Sequence, residues 1–409
     1  MIIGAIICET IVYILVTTVN KKFQWLIIKR DEKPKLTKKG LERFFLNGFD
    51  EELGWVRKPN TNNAESGKIK SVNWNINEKG ARINPDFEEK ESLISCYGDS
   101  FTFGRQVNDD ETWEHELSKL TNSNVQNFGV GNYGIDQALL RLKREYKTKK
   151  TKYVILGVVP DSIRRNLNFW KHYFEYGNTF GFKPRFILSN NELKLIKNPI
   201  DEESKFYYYE EFLEEIRKHD YFYDKKFSKE IITFPYCINI FKNPRRNFSI
   251  IYWVIKIGIY KKMKKDISKF GWEPMKIIMR INLKWRIKLY KNSEAKIIFS
   301  KIIDEFMKFS KKEEFQPIFL MMPQKDDIIF IKSNYNFYQE FLEEINVNNK
   351  LKIIDLTKEL LLENNLDDLY TDNNEYGGHF SQQGNKKVAE IIYKKFQEFF
   401  GIESNFRFV

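Results

Sequence analysis

The sequence predicts an α/β fold built on a parallel sheet with helices over both faces. Short, continuous apolar runs recur at 93–97, 125–128, 153–159, 316–323 and 351–356, stretches with apolar residues at helical spacing separate them, and small polar or glycine-rich turns close the first two. Runs that stay apolar, instead of alternating, are those of strands buried on both faces. With 409 residues and 42% hydrophobic content, the chain can bury a sizeable core and still carry additional elements.

Residues 1–19 are almost wholly apolar, interrupted by Glu9 and a few threonines. As a helix this stretch would be about 28 Å long, close to the ~30 Å of a bilayer core. It lacks the leading positive charge and small-residue cleavage site of a secretory leader. The expectation is a single-pass membrane anchor, with a short buried helix as the alternative. Lys21, Lys22, Lys29, Arg30, Lys33 and Lys35 follow directly. Basic residues beside a membrane helix lean the rest of the chain toward the cytoplasmic face, although long domains translocate regardless of such charge, so the side stays open. Residues 20–90 form a juxtamembrane and lead-in segment. FDEELGWVRKPN and NINEKGARINP read there as strands and turns punctuated by Pro59 and Pro85, either support for the core or one wall of a site.

The first core run, LISCYGDSFTFG from Leu93 to Gly104, is a buried strand ended by Gly98-Asp99-Ser100. A serine at a strand-to-helix turn has its hydroxyl clear of the sheet and near backbone N–H groups, which makes Ser100 the nucleophile candidate. The helix predicted over 109–120 opens on Asp109, Asp110 and Glu111, acids that favour its N-terminal dipole. His115, between two glutamates, reads as a solvated surface residue. The second run leads into Gly129-Val130-Gly131-Asn132-Tyr133-Gly134, glycine-rich enough for the backbone to turn close to a ligand. The third ends at Val159-Pro160-Asp161-Ser162.

Residues 166–292 read as an insertion subdomain, mostly helical, that opens with Phe169, Trp170, Tyr173 and Phe174. A hairpin is expected over 182–196, turning at Asn190-Asn191. Ile250 to Tyr260, followed by lysines, suits a membrane-surface helix or a cap over an acyl cleft; the alternative is the core helix of a small subdomain. Helices at 295–309 and 337–345 supply the crossovers to the last two strands. In the closing TDNNEYGGHFSQQGNKKVAEII, Ser381 is a good N-cap and His379 sits in the loop before it.

Composition narrows the function classes. The net charge of +12 is dispersed among 56 acidic residues with no nucleic-acid motif in context, so attraction to a membrane surface or an acidic polymer is its natural consequence. Cys8, Cys96 and Cys237 are too few and too scattered for a disulfide framework or a thiolate metal site. His172 and His219 have no second ligand at metal spacing, so neither metal nor cofactor is expected.

Over residues 91–166 and 315–400 these blocks, in this order, resemble the SGNH/GDSL hydrolase family. The resemblance implies an SGNH-hydrolase-like (flavodoxin-like) three-layer α/β/α core with a five-stranded parallel sheet, in two parts, 91–165 and 293–409. It also implies an ester hydrolase working through an acyl-serine, with Ser100 as nucleophile and His379 as general base. The oxyanion would be held by the N–H of Ser100 and that of Asn132, or of Gly131 if the register moves by one. The family's third donor is an asparagine where this chain has Asp161, and an ionised carboxylate can only accept. Asp161 must then be protonated, turned away, or replaced by Ser162 or Asn166. The family's aspartate three residues before the histidine is Tyr376 here, leaving Glu375 and Asp372 as the nearby acids. Carbohydrate O-acetyl esters, hydrolysed or transferred, are the implied substrates. The rival readings are a membrane-tethered pseudoenzyme that binds a glycan or acyl group, and a lipase-like esterase at the bilayer.

Overall fold

In the computed structural model, which describes residues 2–349 and 351–401, the five apolar runs form β1 (Ser92–Gly98), β2 (Asn124–Gly129), β3 (Tyr153–Val158), β4 (Gln316–Met321) and β5 (Lys352–Asp355). All their pairings are parallel, and the order across the sheet is β2-β1-β3-β4-β5. This is the flavodoxin-like order. Its direction reverses between β1 and β3, and at such a switch point a crevice opens beyond the strands' C-terminal ends.

Burial explains why these runs become strands. Ile94 and Cys96 of β1, Val125 of β2, Ile155 of β3, Ile318 and Leu320 of β4 and Ile354 of β5 form one core with the helices α2 (Trp113–Thr121) and α6 (Gln382–Phe400). Those helices contribute Trp113, Leu117, Val388, Ile392 and Phe396. Alternate residues turn the other way: Tyr97 and Phe128 stack at 4.9 Å, and Arg141 of α3 (Ile135–Glu145) lies over the Phe128 ring. A second helix, α5 (Ser293–Glu313), packs with α3 and β4 there, so both faces of the sheet are covered.

The lead-in segment changes the reading of His115. The ring is buried, with Nδ1 3.0 Å from Asn84 Oδ1 and its edge on Phe87. Asn84 also donates to Ser118 and Asn124. The face of α2 expected to meet water is covered by a segment whose position the local pattern does not reveal.

The chain divides into two compact units. One comprises Met1–Glu42, Asn168–Lys183 and Pro199–Trp285; the other, with the sheet, comprises Arg43–Leu167, Pro184–Asn198 and Arg286–Val409. The hairpin Arg185–Ser189/Glu192–Ile196 belongs to the sheet unit, with Asn190 and Asn191 both left-handed at φ 50° and 62°. Positive φ at both central residues is what a tight two-residue hairpin requires. In the other unit, α1 (Ile2–Lys22) buries Val16 and Val19 among Leu26, Ile28, Ile232 and Ile240, together with Ile250, Ile251 and Val254 of α4 (Pro244–Lys262). Midway along α1, the Glu9 carboxylate accepts the N–H groups of Tyr236 and Cys237. Cys8 and Cys237 are free thiols with sulfurs 3.2 Å apart. Of the stretch 250–260, one stripe is core, while Tyr252, Ile255 and Ile259 are exposed.

Two glycines let the 99–104 turn lie flat on the strand ends. A Cβ on Gly129 would come within 2.3 Å of Phe103 N. One on Gly98 would lie 2.0 Å from the Gly157 carbonyl and 2.1 Å from Thr102 Oγ1. Gly98→Ala must therefore part β1 from β3, and a loss of about 1–3 kcal/mol in urea unfolding is expected; an unchanged midpoint would contradict this packing.

Candidate active site

Asp99 builds the site by tying strand ends together. Its fully buried carboxylate accepts from Phe101 N (2.8 Å), Val159 N (3.1 Å) and Arg165 Nη1 (3.0 Å). Burial pushes its carboxyl up, and Arg165 and the backbone donors oppose that. Because Phe101 follows β1 and Val159 follows β3, the bonds clamp the turn at the switch point. Ser100 then emerges over the crevice, 5% exposed.

His379 arrives on a pinched loop. Thr371 N donates to the His379 carbonyl (2.8 Å) and Ser381 N to the Leu369 carbonyl (2.9 Å). Gly377 and Gly378 make the turn at φ 93° and 76°. Ser381 Oγ caps α6 by accepting from Gly384 N at 3.1 Å. The loop leaves the imidazole against Phe101, ring centroids 4.8 Å apart, with Nε2 2.8 Å from Ser100 Oγ.

The other ring nitrogen faces Gln106. Its Oε1 lies 2.8 Å from His379 Nδ1, 2.9 Å from Thr371 Oγ1 and 3.2 Å from His379 N. A backbone N–H can only donate, so the amide atom facing it is the oxygen, and that oxygen must then receive Nδ1–H. This sets the tautomer: Nδ1 carries the proton and Nε2 is free to accept from Ser100. Burial, then the positive charges of Arg105 and Arg165, hold the imidazole well below its ordinary pKa of 6.5. The ring is neutral at neutral pH.

The acids expected beside His379 are elsewhere. Asp372 Oδ1 accepts from the backbone and side-chain amides of Asn374, both at 2.8 Å, and the Asp372 carbonyl accepts from Lys325 Nζ at 2.6 Å. Glu375 is exposed, and neither acid is the ring's partner. The partner of His379 Nδ1 is a neutral amide.

Asp161 is ionised, not protonated. It pairs with Arg164, whose Nη2 is 2.9 Å from Oδ2, with Arg286 Nε at 3.1 Å and with Arg165 Nε at 3.6 Å. Burial alone would raise its carboxyl; Arg164, Arg286 and Arg165 overcome this and hold it far below the ordinary aspartate range. Arg286 also reaches Asp326 (3.4 Å) and Asp327. Asp161 is thus turned into a buried arginine cluster and donates nothing. Ser162 Oγ accepts Ile135 N at the start of α3 (2.9 Å), which ties it to that helix terminus. Asn166 is different: it is 1% exposed, and its Nδ2 and Oδ1 have no hydrogen-bond partner among the described residues. A Cβ on Gly134 would lie 2.6 Å from that Oδ1, which places the amide against the 131–134 loop. The N–H groups of Ser100, Gly131 and Asn132 have no acceptor among the described residues, and Asn132 is left-handed at φ 71°.

Gln106, Arg165 and Arg105 escape the sequence reading. Gln106 follows Gly104 in a turn that puts it at φ 72°, and nothing in its spacing separates it from an ordinary loop residue. Among the described residues, no group of three or more His, Cys, Asp or Glu side chains could hold a metal ion.

No family model and no curated protein matches the chain. Solved structures do. A member of the lipolytic protein G-D-S-L family from Veillonella parvula DSM 2008 is 11% identical, with TM-score 0.31, covering 76% of this chain and 98% of its own. The acetyl xylan esterase AlAXEase is 13% identical, TM-score 0.33, covering 74% and 98%. A lipase/acylhydrolase from Enterococcus faecalis is 12% identical, TM-score 0.31, covering 75% and 96%.

Three outcomes follow from the electrostatics. Were His379 the base in an ester cleavage, its lowered pKa would keep kcat/KM level through neutral pH and let it fall only well below 6.5. Gln106→Glu keeps the acceptor and adds a charge that favours the imidazolium, so its acid limb should move to higher pH; an unmoved limb would remove Gln106 from the ring. Arg286→Met leaves three buried carboxylates short of a cation and should cost about 3–5 kcal/mol in urea unfolding at pH 7. A loss below about 1 kcal/mol would mean that the cluster is not a closed ionic network.

Proposed function

We propose that the chain is a serine hydrolase of ester bonds that works through an acyl-serine, with carbohydrate O-acetyl esters as the substrate class. The observation that carries this reading is the 2.8 Å contact between Ser100 Oγ and an imidazole nitrogen that its other bonds leave unprotonated. Ser100 Oγ attacks the acyl carbonyl as its proton passes to His379 Nε2. The oxyanion lies on the free N–H groups of Ser100 and of Asn132 or Gly131. The imidazolium returns the proton to the departing alkoxide. A water then repeats the cycle and releases the acid, or a sugar hydroxyl takes the acyl group instead, which makes the protein an O-acyltransferase.

For the third donor we assign Asn166 in place of Asp161, because its buried amide is unpartnered beside the oxyanion loop. The neutral third member carries a cost. Where an amide replaces the triad carboxylate and stabilises the wrong tautomer, turnover falls about 10⁴-fold; here the amide presents oxygen, the tautomer is the productive one, and only the charge is missing.

We further propose that α1 anchors the protein in a membrane. Its 21 residues have a mean hydropathy of 2.2 over the best window, and Ile2, Ile3, Ile6, Ile7, Ile11 and Ile14 point outward. Water, a glycan hydroxyl and a bilayer are the surroundings this reading requires; a cofactor and nucleic acid are not.

An active-site fluorophosphonate is expected to label the wild type, to miss Ser100→Ala, and to label His379→Ala at least about 10²-fold more slowly. No label on the wild type, or equal label on Ser100→Ala, would leave the tethered pseudoenzyme as the better reading. Acetate release from acetylated xylan should exceed release of long acyl chains from triglyceride emulsions; the reverse order would favour the lipase-like reading.

A further inference from the structure

The lead-in segment brings an arginine with no hydrogen-bond or ion-pair partner among the described residues to the 131–134 loop. Trp55 Nε1 donates to the Gly131 carbonyl at 3.0 Å, and the Tyr133 hydroxyl donates back to the Trp55 carbonyl, so this segment is laced to the loop 131–134. Two residues on, the Arg57 guanidinium lies over the Trp74 ring at 4.3 Å and the Phe103 ring at 5.1 Å. Phe103 is three residues after the nucleophile. A methyl group placed on Gly131 would be 3.9 Å from Arg57 Nη2, so the guanidinium faces the bare side of that loop.

Arg57 makes no hydrogen bond or ion pair among the described residues. The carboxylate that acts on it most is Glu65, whose two oxygens are taken by Arg105 Nε (2.8 Å) and Gln106 N (2.9 Å). Burial, with Arg105 and Arg82 nearby, lowers its pKa to about 10, so it stays cationic at neutral pH. The neighbouring arginines are spent: Arg82 donates to Asp109 and to the carbonyls of Phe103, Gly104 and Val107, and Arg165 to Asp99 and the Tyr133 carbonyl. A planar cation held on aromatic faces, with its fork of donors unfilled, is built for bidentate recognition of a carboxylate or phosphate.

We propose that Arg57 is an anion subsite of the Ser100 site, so that the preferred ester is carried by an acidic sugar or a sugar phosphate. This rests on the esterase reading and narrows it: the acyl group is cut from, or passed to, a negatively charged glycan.

Three probes with one acetyl group test it: methyl 3-O-acetyl-galactoside, the same compound with a carboxylate at C6, and the same compound with a phosphate at C6. The wild type should prefer at least one anionic probe about 10- to 100-fold in kcat/KM, mainly through KM, and the carboxylate-to-phosphate ratio identifies the group. Arg57→Met, which keeps an apolar stem on the two rings, should abolish the preference and leave the neutral probe within about twofold; Arg57→Lys should restore part of it. Equal rates on all three probes, or an equal fall on all three in Arg57→Met, would overturn the subsite. If the wild type cleaves none of them, the esterase reading fails on its own. The subsite is then read by equilibrium binding of methyl galacturonide and galactose 6-phosphate to wild type and Arg57→Met: a tenfold or greater weakening supports it, and unchanged binding overturns it.

Discussion

The site depends on a carboxylate that never meets substrate. Asp99 has no exposed surface and accepts from the backbone after β1, the backbone after β3 and the Arg165 guanidinium. A carboxyl group buried that deeply is tolerated only when fully bonded, and the bonds that satisfy it hold two strand ends and the arginine in one geometry. The serine beside it is consequently placed by the sheet, whose register is rigid, and only secondarily by its own loop. Glycine at 98 and 129 is the steric condition for the same arrangement, because the turn passes where side chains would stand.

Charge around Ser100 and His379 is distributed unevenly. The histidine is backed by an amide, and the charges that act on it, from Arg105 and Arg165, are positive. This favours a neutral base and works against its protonated form. The same cations favour negative charge nearby. Asp161, which would repel an oxyanion, has its charge absorbed by Arg164, Arg165 and Arg286. Two features thus have separate physical answers: the His379 ring faces an oriented amide, and the Asp161 carboxylate is neutralised in place.

The unit that contains α1 follows different physics. Its core joins the last turns of α1 to α4, and Glu9, the acid within the apolar helix, is satisfied by two backbone N–H groups of Tyr236 and Cys237. Pairing a carboxylate with backbone donors is how an apolar element carries an acid at low cost. The exposed face of α1 and the exposed Tyr252, Ile255 and Ile259 of α4 are apolar surfaces within one unit, a composition suited to lipid.

Local pattern was enough for the strands, the crossover helices, the 185–196 hairpin and the turn that carries Ser100, because each is written in short-range periodicity and turn chemistry. Ser100 was singled out by its strand-to-helix turn, whereas the role expected of His379 came with the resemblance of the surrounding blocks to SGNH/GDSL hydrolases. The 2.8 Å contact of these two residues across 279 positions was decided by tertiary structure, as were Gln106 in place of Asp372 or Glu375, the arginine cage around Asp161, the burial of His115 and the empty donors of Arg57. Each of those turns on which distant chain segment covers a given side chain. Burial and pairing are properties of a neighbour, and a sequence names a residue's neighbours along the chain but not through space.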